Sequence, residues 1–128
     1  CDGLDGEVWM LDGTHSVFGP EAMTAELQAR AQSLDIHATG PLWGRGELRS
    51  TGAAREIETA VAAAHADLCD GLEIAGLSQE RRALRVRVGD LQWQWLEDQV
   101  LRLDFSLPPG AYATSVLAEL GDVVVGGA

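Results

Sequence analysis

The period at which apolar residues recur changes once along this chain, near residue 80, and no uniform architecture accommodates both patterns. From Ala53 to Ala75, Ile57, Val61, Ala64, Leu68 and Leu72 fall three or four residues apart, with Gly71 as the one breaker. That spacing gathers apolar side chains on one stripe of a helix, and Gly76 is placed to end it. After Glu80 the pattern becomes alternation: ALRVRV sets apolar residues against Arg, LQWQWL against Gln, and VLRLDFSL alternates again. A period of two sends successive side chains to opposite faces of a sheet. With VGD and EDQ as turns, the three runs are expected to form an antiparallel three-stranded meander.

The flanking segments carry weaker signals. Val8 to Leu11, between glycine turns, reads as one strand followed by a loop. Gly19-Pro20 and Glu21 predict the start of a helix that runs through Ala22, Met23, Leu27 and Ala31 to near Ser33. The stretch from Asp35 to Gly52 holds four Gly and one Pro among 18 residues and is expected to be a long structured loop, a common site for binding or docking. Pro109-Gly110 leads into a short helix, AYATSVLAEL. The tail GDVVVGGA carries no usable pattern. The expected fold class is α+β, with an α-rich piece over residues 1–80 and a β-meander plus helix over residues 81–128. A change that sharp suggests parts of two domains in one chain.

Composition narrows the function classes. Hydrophobic content of 46 % and charged content of 23 % are those of an ordinary globular protein. No apolar run approaches the roughly 20 residues that cross a bilayer, and no basic segment precedes an apolar one at the start; no membrane association and a cytoplasmic location are expected. Two cysteines in a chain of 128 residues make a disulfide framework improbable, and Cys1 at the first position suggests a fragment of a longer protein. The net charge of −11 makes the whole chain a poor binder of nucleic acid by itself, since phosphate contact depends on Lys and Arg. The charge is uneven, however. Residues 1–80 hold 4 Arg against 14 acids, and residues 81–128 hold 5 Arg against 6, four of those Arg within QERRALRVR. All 9 basic residues are Arg, which is compatible with bidentate phosphate contact but equally with a biased coding composition.

Chemistry-bearing constellations are few. Asp12, His15 and Ser16 are close in sequence, but adjacency does not make a triad, and no G-x-S-x-G elbow is present. His65 and Cys69 share one face of the expected helix at ligand spacing, yet a metal needs further ligands and only His15 and His37 remain. The absence of Lys excludes a G-x-x-x-x-G-K phosphate loop. Trp93 and Trp95 share a strand face; such a pair can stack bases but more often packs a core.

Three stretches are more specific. PLWGRGE (Pro41 to Glu47), QERRALRVR (Gln79 to Arg87) and LPPGAYATSVLAEL (Leu107 to Leu120) resemble segments of TruD-type tRNA pseudouridine synthases, in the family's order. DGEVWMLDGTHSVF (Asp5 to Phe18) is similar to a stretch upstream of them. The resemblance implies an enzyme that converts uridine to pseudouridine in tRNA, at position 13 in bacterial members, with an aspartate nucleophile and neither metal nor organic cofactor. It implies that residues 1–80 are the latter part of an inserted domain and residues 81–128 the end of the catalytic domain. Tyr112 matches the aromatic position of the family's G-[SA]-[FY]-A-T-S motif and would stack on the target uracil. Thr114 and Ser115 would support it, and Arg81, Arg82 and Arg85 would face the RNA. The family nucleophile belongs to an N-terminal G-L-K-D-R stretch that a chain without Lys cannot contain, so no catalytic residue is assigned. Asp104 is expected to be an outward-facing strand residue. Ala118 stands where the family has Arg in S-V-x-R-E-L. The chain is therefore expected to be an inactive C-terminal fragment whose partners are tRNA and the missing N-terminal part. The alternatives are a non-catalytic tRNA-binding module or one half of a split synthase.

Overall fold

A computed structural model describes residues 3–122 and Val124. The chain divides into two compact units, the first ending at Arg85 and the second beginning at Val86. The first unit is built on an antiparallel sheet of four strands, β1 (Glu7–Leu11), β2 (Val17–Glu21), β3 (Ile36–Leu42) and β4 (Glu80–Ala83), in the order β2-β1-β3-β4. The apolar run that predicts a strand at Val8 to Leu11 is the inner strand β1, with Val8, Trp9 and Met10 buried. Helix α1 (Ala25–Gln32) packs on β3, and Ala31 meets Trp9 and Ile36 in a core bordered by Phe18, Met23, Leu27 and Ala38.

Three local expectations are revised. Gly19 and Pro20 belong to the edge strand β2 and not to a helix. A strand at the sheet edge tolerates a residue without an N–H, and the helix begins later, where the Thr24 hydroxyl accepts from the N–H of Leu27 at 3.2 Å. The glycine-rich stretch from Asp35 is not a loop throughout, because Ile36–Leu42 form β3 between two partner strands. The long helix is two, α2 (Gly52–Ala64) and α3 (Ala66–Ile74), separated at His65, whose φ of −123° and ψ of 38° leave the helical region.

Two glycines are required by close approach. A side chain at Gly6 would lie 1.7 Å from the Thr51 carbonyl oxygen, and Gly6 also has a φ of 85°. A Cβ at Gly44 would lie 2.4 Å from the Ser78 backbone. That approach lets Arg45 donate its backbone N–H to Leu77 and accept from Gln79, so the segment entering β4 lies against the backbone at Arg45.

The second unit contains β5 (Gly89–Glu97), β6 (Val100–Ser106) and α4 (Ala113–Ala118). The alternating runs do not form a three-stranded meander. The first of them is divided: β4 ends at Ala83 and pairs with β3, while β5 and β6 form a two-stranded hairpin. On the hairpin Trp93 lies opposite Leu103 and Trp95 opposite Leu101. The α+β class is as expected from the sequence: helices and antiparallel sheets occur in the first unit and a hairpin with a helix in the second.

Ile36 is fully buried at the centre of the first unit's core. Ile36→Ala is expected to lower stability by about 2–5 kcal/mol, read as a reduced urea midpoint at unchanged m-value.

Candidate functional site

Three of the four arginines of the QERRALRVR stretch, Arg81, Arg82 and Arg85, occupy different environments. Arg81 lies on β4 opposite Pro41 of β3, and its side chain is only 7 % exposed. Its guanidinium donates to both carboxylate oxygens of Glu58 on α2, at 2.7 and 3.0 Å. It also donates to the Thr39 hydroxyl and carbonyl, each at 2.9 Å. A fork facing a carboxylate in this way is the strongest geometry available to an ion pair. The Ser50 hydroxyl donates to the same Glu58 carboxylate, and the Thr39 hydroxyl donates in turn to the Val8 carbonyl at 2.7 Å. Arg81 thus links α2, β4, β3 and β1.

Arg85 is tied down in a second way. Its Nε–H donates to Nδ1 of the buried His37 at 2.8 Å, and its terminal N–H groups donate to the carbonyls of Ala31 and Ile36. Because Arg can only donate, Nδ1 of His37 accepts, and the hydrogen sits on Nε2, which meets Asp12 Oδ1 at 2.7 Å. Asp12 and His37 are therefore joined, and the Ser16 N–H bonds the Thr14 hydroxyl. Arg82, between these two, is exposed.

Sequence reasoning found the arginines but not their partners. Glu58 carries no signal within an Ala-rich helix, and His37 lies in a stretch read as loop. Glu7, the first residue of β1, was not singled out by the sequence either. It is buried, and burial pushes its carboxyl above the ordinary carboxylate value, with the nearby Glu58 charge acting in the same direction. The Leu4 N–H, 3.2 Å from Oε2, and the Arg81 charge oppose that shift.

Tyr112, Thr114 and Ser115 lie in the second unit. Tyr112 is the residue immediately before α4 and is 70 % exposed, and its carbonyl accepts from the Ser115 N–H at 3.0 Å. Thr114 and Ser115 are exposed on the first turn, and Ala118 closes the helix. The structure therefore brings Arg81 and Arg85 into internal networks, leaves Arg82 on a surface, and presents Tyr112 with Thr114 and Ser115 as a separate exposed group. Asp104 lies on β6, exposed, with Arg102 at 2.9 Å. His65 and Cys69 line a common groove, but no group of three or more His, Cys, Asp or Glu among the described residues could hold a metal ion. No helix among them is long and apolar enough to cross a membrane.

Truncating Arg81 strands a buried carboxylate, so Arg81→Ala is expected to cost about 3–5 kcal/mol, whereas exposed Arg82→Ala should stay within about 0.5 kcal/mol; urea melts separate the two. For Glu7 the folded-state value lies above 4.5, the ordinary one. Its contribution to stability is complete below 4.5 and is lost as pH rises through the folded value. Glu7→Gln removes this loss, so its stability relative to the parent should climb with pH over that window and level off above it.

The sequence model of the family described as tRNA pseudouridine synthase D (TruD) matches residues 6–120. A tRNA pseudouridine synthase D of Xanthomonas axonopodis pv. citri is 55 % identical over 97 % of this chain and 34 % of its own length. One from Aeromonas salmonicida is 52 % identical over 91 % of the chain and 33 % of its own length. One from Nitrosococcus oceani is 48 % identical over 91 % of the chain and 33 % of its own length. The chain spans about a third of the length of these curated relatives. A match that takes in both units, from β1 to the end of α4, means that this chain belongs to the TruD family of tRNA pseudouridine synthases.

Proposed function

We propose that this chain is the C-terminal part of an enzyme that isomerises uridine to pseudouridine in tRNA, at position 13 as in bacterial members, in the cytoplasm. The first unit is the end of an inserted domain and the second the end of the catalytic domain. The compact units part at Arg85/Val86, and the pairing of β4 with β3 and of Arg81 with Glu58 supports a domain boundary a few residues beyond residue 80. In the reaction the glycosidic C–N bond of the uridine breaks, the uracil turns, and a C–C bond forms from its C5 to the ribose. An aspartate from the N-terminal part of the enzyme supplies the nucleophile, with no metal or organic cofactor.

The exposed ring of Tyr112 at the start of α4 carries the reading. A base taken out of its stack needs a flat apolar partner while its bond to ribose is broken. Thr114 and Ser115, exposed on the adjoining turn, hold the neighbouring polar edge of the site. Arg82 faces the RNA backbone, while Arg81 and Arg85 position the strand that carries it. The bare apolar face of the hairpin supports the assignment of the second unit to a larger domain: Trp93 is 65 % and Trp95 59 % exposed. A two-stranded hairpin is marginal in water without a further layer against its apolar face.

The full-length polypeptide should form pseudouridine in tRNA, and the 128-residue chain alone should form none. In the full-length enzyme, loss of stacking in Tyr112→Ala should lower kcat/KM about 5- to 150-fold, with Tyr112→Phe close to the parent. Pseudouridine formation by the isolated chain, or an unchanged kcat/KM in Tyr112→Ala, would contradict the proposal.

A further inference from the structure

The hold on Arg85 depends on a single lone pair. His37 is buried on β3, and its Nδ1 accepts from the Arg85 Nε–H at 2.8 Å while its Nε2–H meets Asp12 Oδ1 at 2.7 Å. A neutral imidazole has one acceptor nitrogen, and here an arginine occupies it. Among the described residues, the charged groups hydrogen-bonded to the ring are Asp12, just past β1, and Arg85, just past β4. The other charges on the elements around β3 are engaged or turned out. On α1, Arg30 is held by Asp35 at 2.6 Å and Glu26 is exposed. On β4, Arg81 is bound to Glu58, and Glu80 and Arg82 are exposed. β1 sets Met10 opposite His37, and its Glu7 stands at the other end of the strand.

We propose that His37 is a proton-operated latch on the end of the first unit: its neutral ring holds Arg85, and its protonated ring keeps Asp12 and releases Arg85. A proton and Arg85 compete for the Nδ1 lone pair, so each excludes the other. With the proton in place, two positively charged donors would face each other at hydrogen-bond distance, and one of them must leave. Asp12 decides which. Its carboxylate stays against Nε2, so the charged ring is a paired buried charge, whereas a long arginine side chain reaches water by swinging out. Departure strands little, because the Ala31 carbonyl that Arg85 vacates also accepts the Leu34 N–H at 3.2 Å. The strand before it stays in place: β4 remains paired with β3 through Ala83, and the Leu84 N–H donates to the Ala38 carbonyl. Release is therefore confined to Arg85, the last residue of the first unit, and the backbone that follows it. Arg85 is held at high pH and let go as pH falls and the ring gains its proton. The contacts lie wholly within the first unit, so the latch is independent of the activity proposed above.

NMR of the isotope-labelled 128-residue chain follows the ring nitrogens of His37 and the Nε–H of Arg85 together, from about pH 8 to about pH 5. The exposed Arg82 Nε–H is read in the same spectra, so the pH dependence of exchange itself cancels in the ratio. While Nδ1 carries no proton, the Arg85 Nε–H should exchange at least about tenfold more slowly than that of Arg82. As Nδ1 gains its proton the ratio should fall to about one, with the β1 amides still protected. His37→Gln keeps an acceptor and a donor but takes up no proton, so it should retain the slow exchange of Arg85 at about pH 5. Arg85 still protected beside a ring protonated on both nitrogens overturns the proposal. So does an unprotected Arg85 beside a neutral ring, or a ring that stays neutral down to about pH 5. Release accompanied by loss of β1 protection is unfolding of the unit and overturns it as well. Should His37→Gln fail to fold, the ring and guanidinium signals of the parent chain decide alone.

Discussion

The buried pair between Arg81 and Glu58 is the constraint on which the first unit depends. A charge removed from water is tolerated only when it is paired and its remaining donors are met. Arg81 satisfies that condition with Glu58 and with the Thr39 hydroxyl and carbonyl, and Thr39 extends the network to Val8. One guanidinium thereby fixes the edge strand β4 to β3, positions α2 over the sheet, and reaches the inner strand β1. The Glu7 carboxyl lies in the same region and is affected by both charges of the pair. Changing either partner therefore alters the electrostatics of β1 as well as the seat of α2.

The same pair separates structural from surface arginines in one short stretch. Along an extended strand, neighbouring side chains point to opposite faces. Arg81 turns inward to Glu58, and Arg82 turns out. Arg85, past the end of β4, bends back to His37 and to the carbonyls of Ala31 and Ile36. Of the three, Arg82 is the one whose charge is displayed at the surface, which is why the proposed RNA contact falls to it.

How far the sequence could be read depended on whether the deciding contact was local. The inner strand at Val8 to Leu11 and the helix containing Ile57 and Val61 follow from short-range periodicity, and both are present. The break at His65 had no warning, because no Gly or Pro marks it. Ile36–Leu42 was obscured by its glycine and proline, since pairing with β1 and β4, which are distant in sequence, is what makes it a strand. The alternation of ALRVRV is genuine, but its first residue ends β4 and the rest, Leu84 to Val88, is in no strand, so a pattern of period two was not enough to assign a partner. At the candidate site, the motif G-A-Y-A-T-S placed Tyr112 correctly at the start of a helix. The residue types in QERRALRVR were visible, whereas their partners Glu58 and His37 come from other elements and left no local mark.

The two units also differ in how complete they are. The first encloses a core around Trp9 and Ile36, while the second displays Trp93, Trp95 and Tyr112. If the second unit is the end of a larger catalytic domain, its hairpin should gain stability only with the rest of the enzyme. Amide hydrogen exchange, compared between the 128-residue chain and the full-length enzyme, tests this most directly. The account expects the β1 and β3 amides to be protected in both proteins and the β5–β6 amides to be protected strongly only in the full-length enzyme. Equal protection of β5 and β6 in the isolated chain would contradict it.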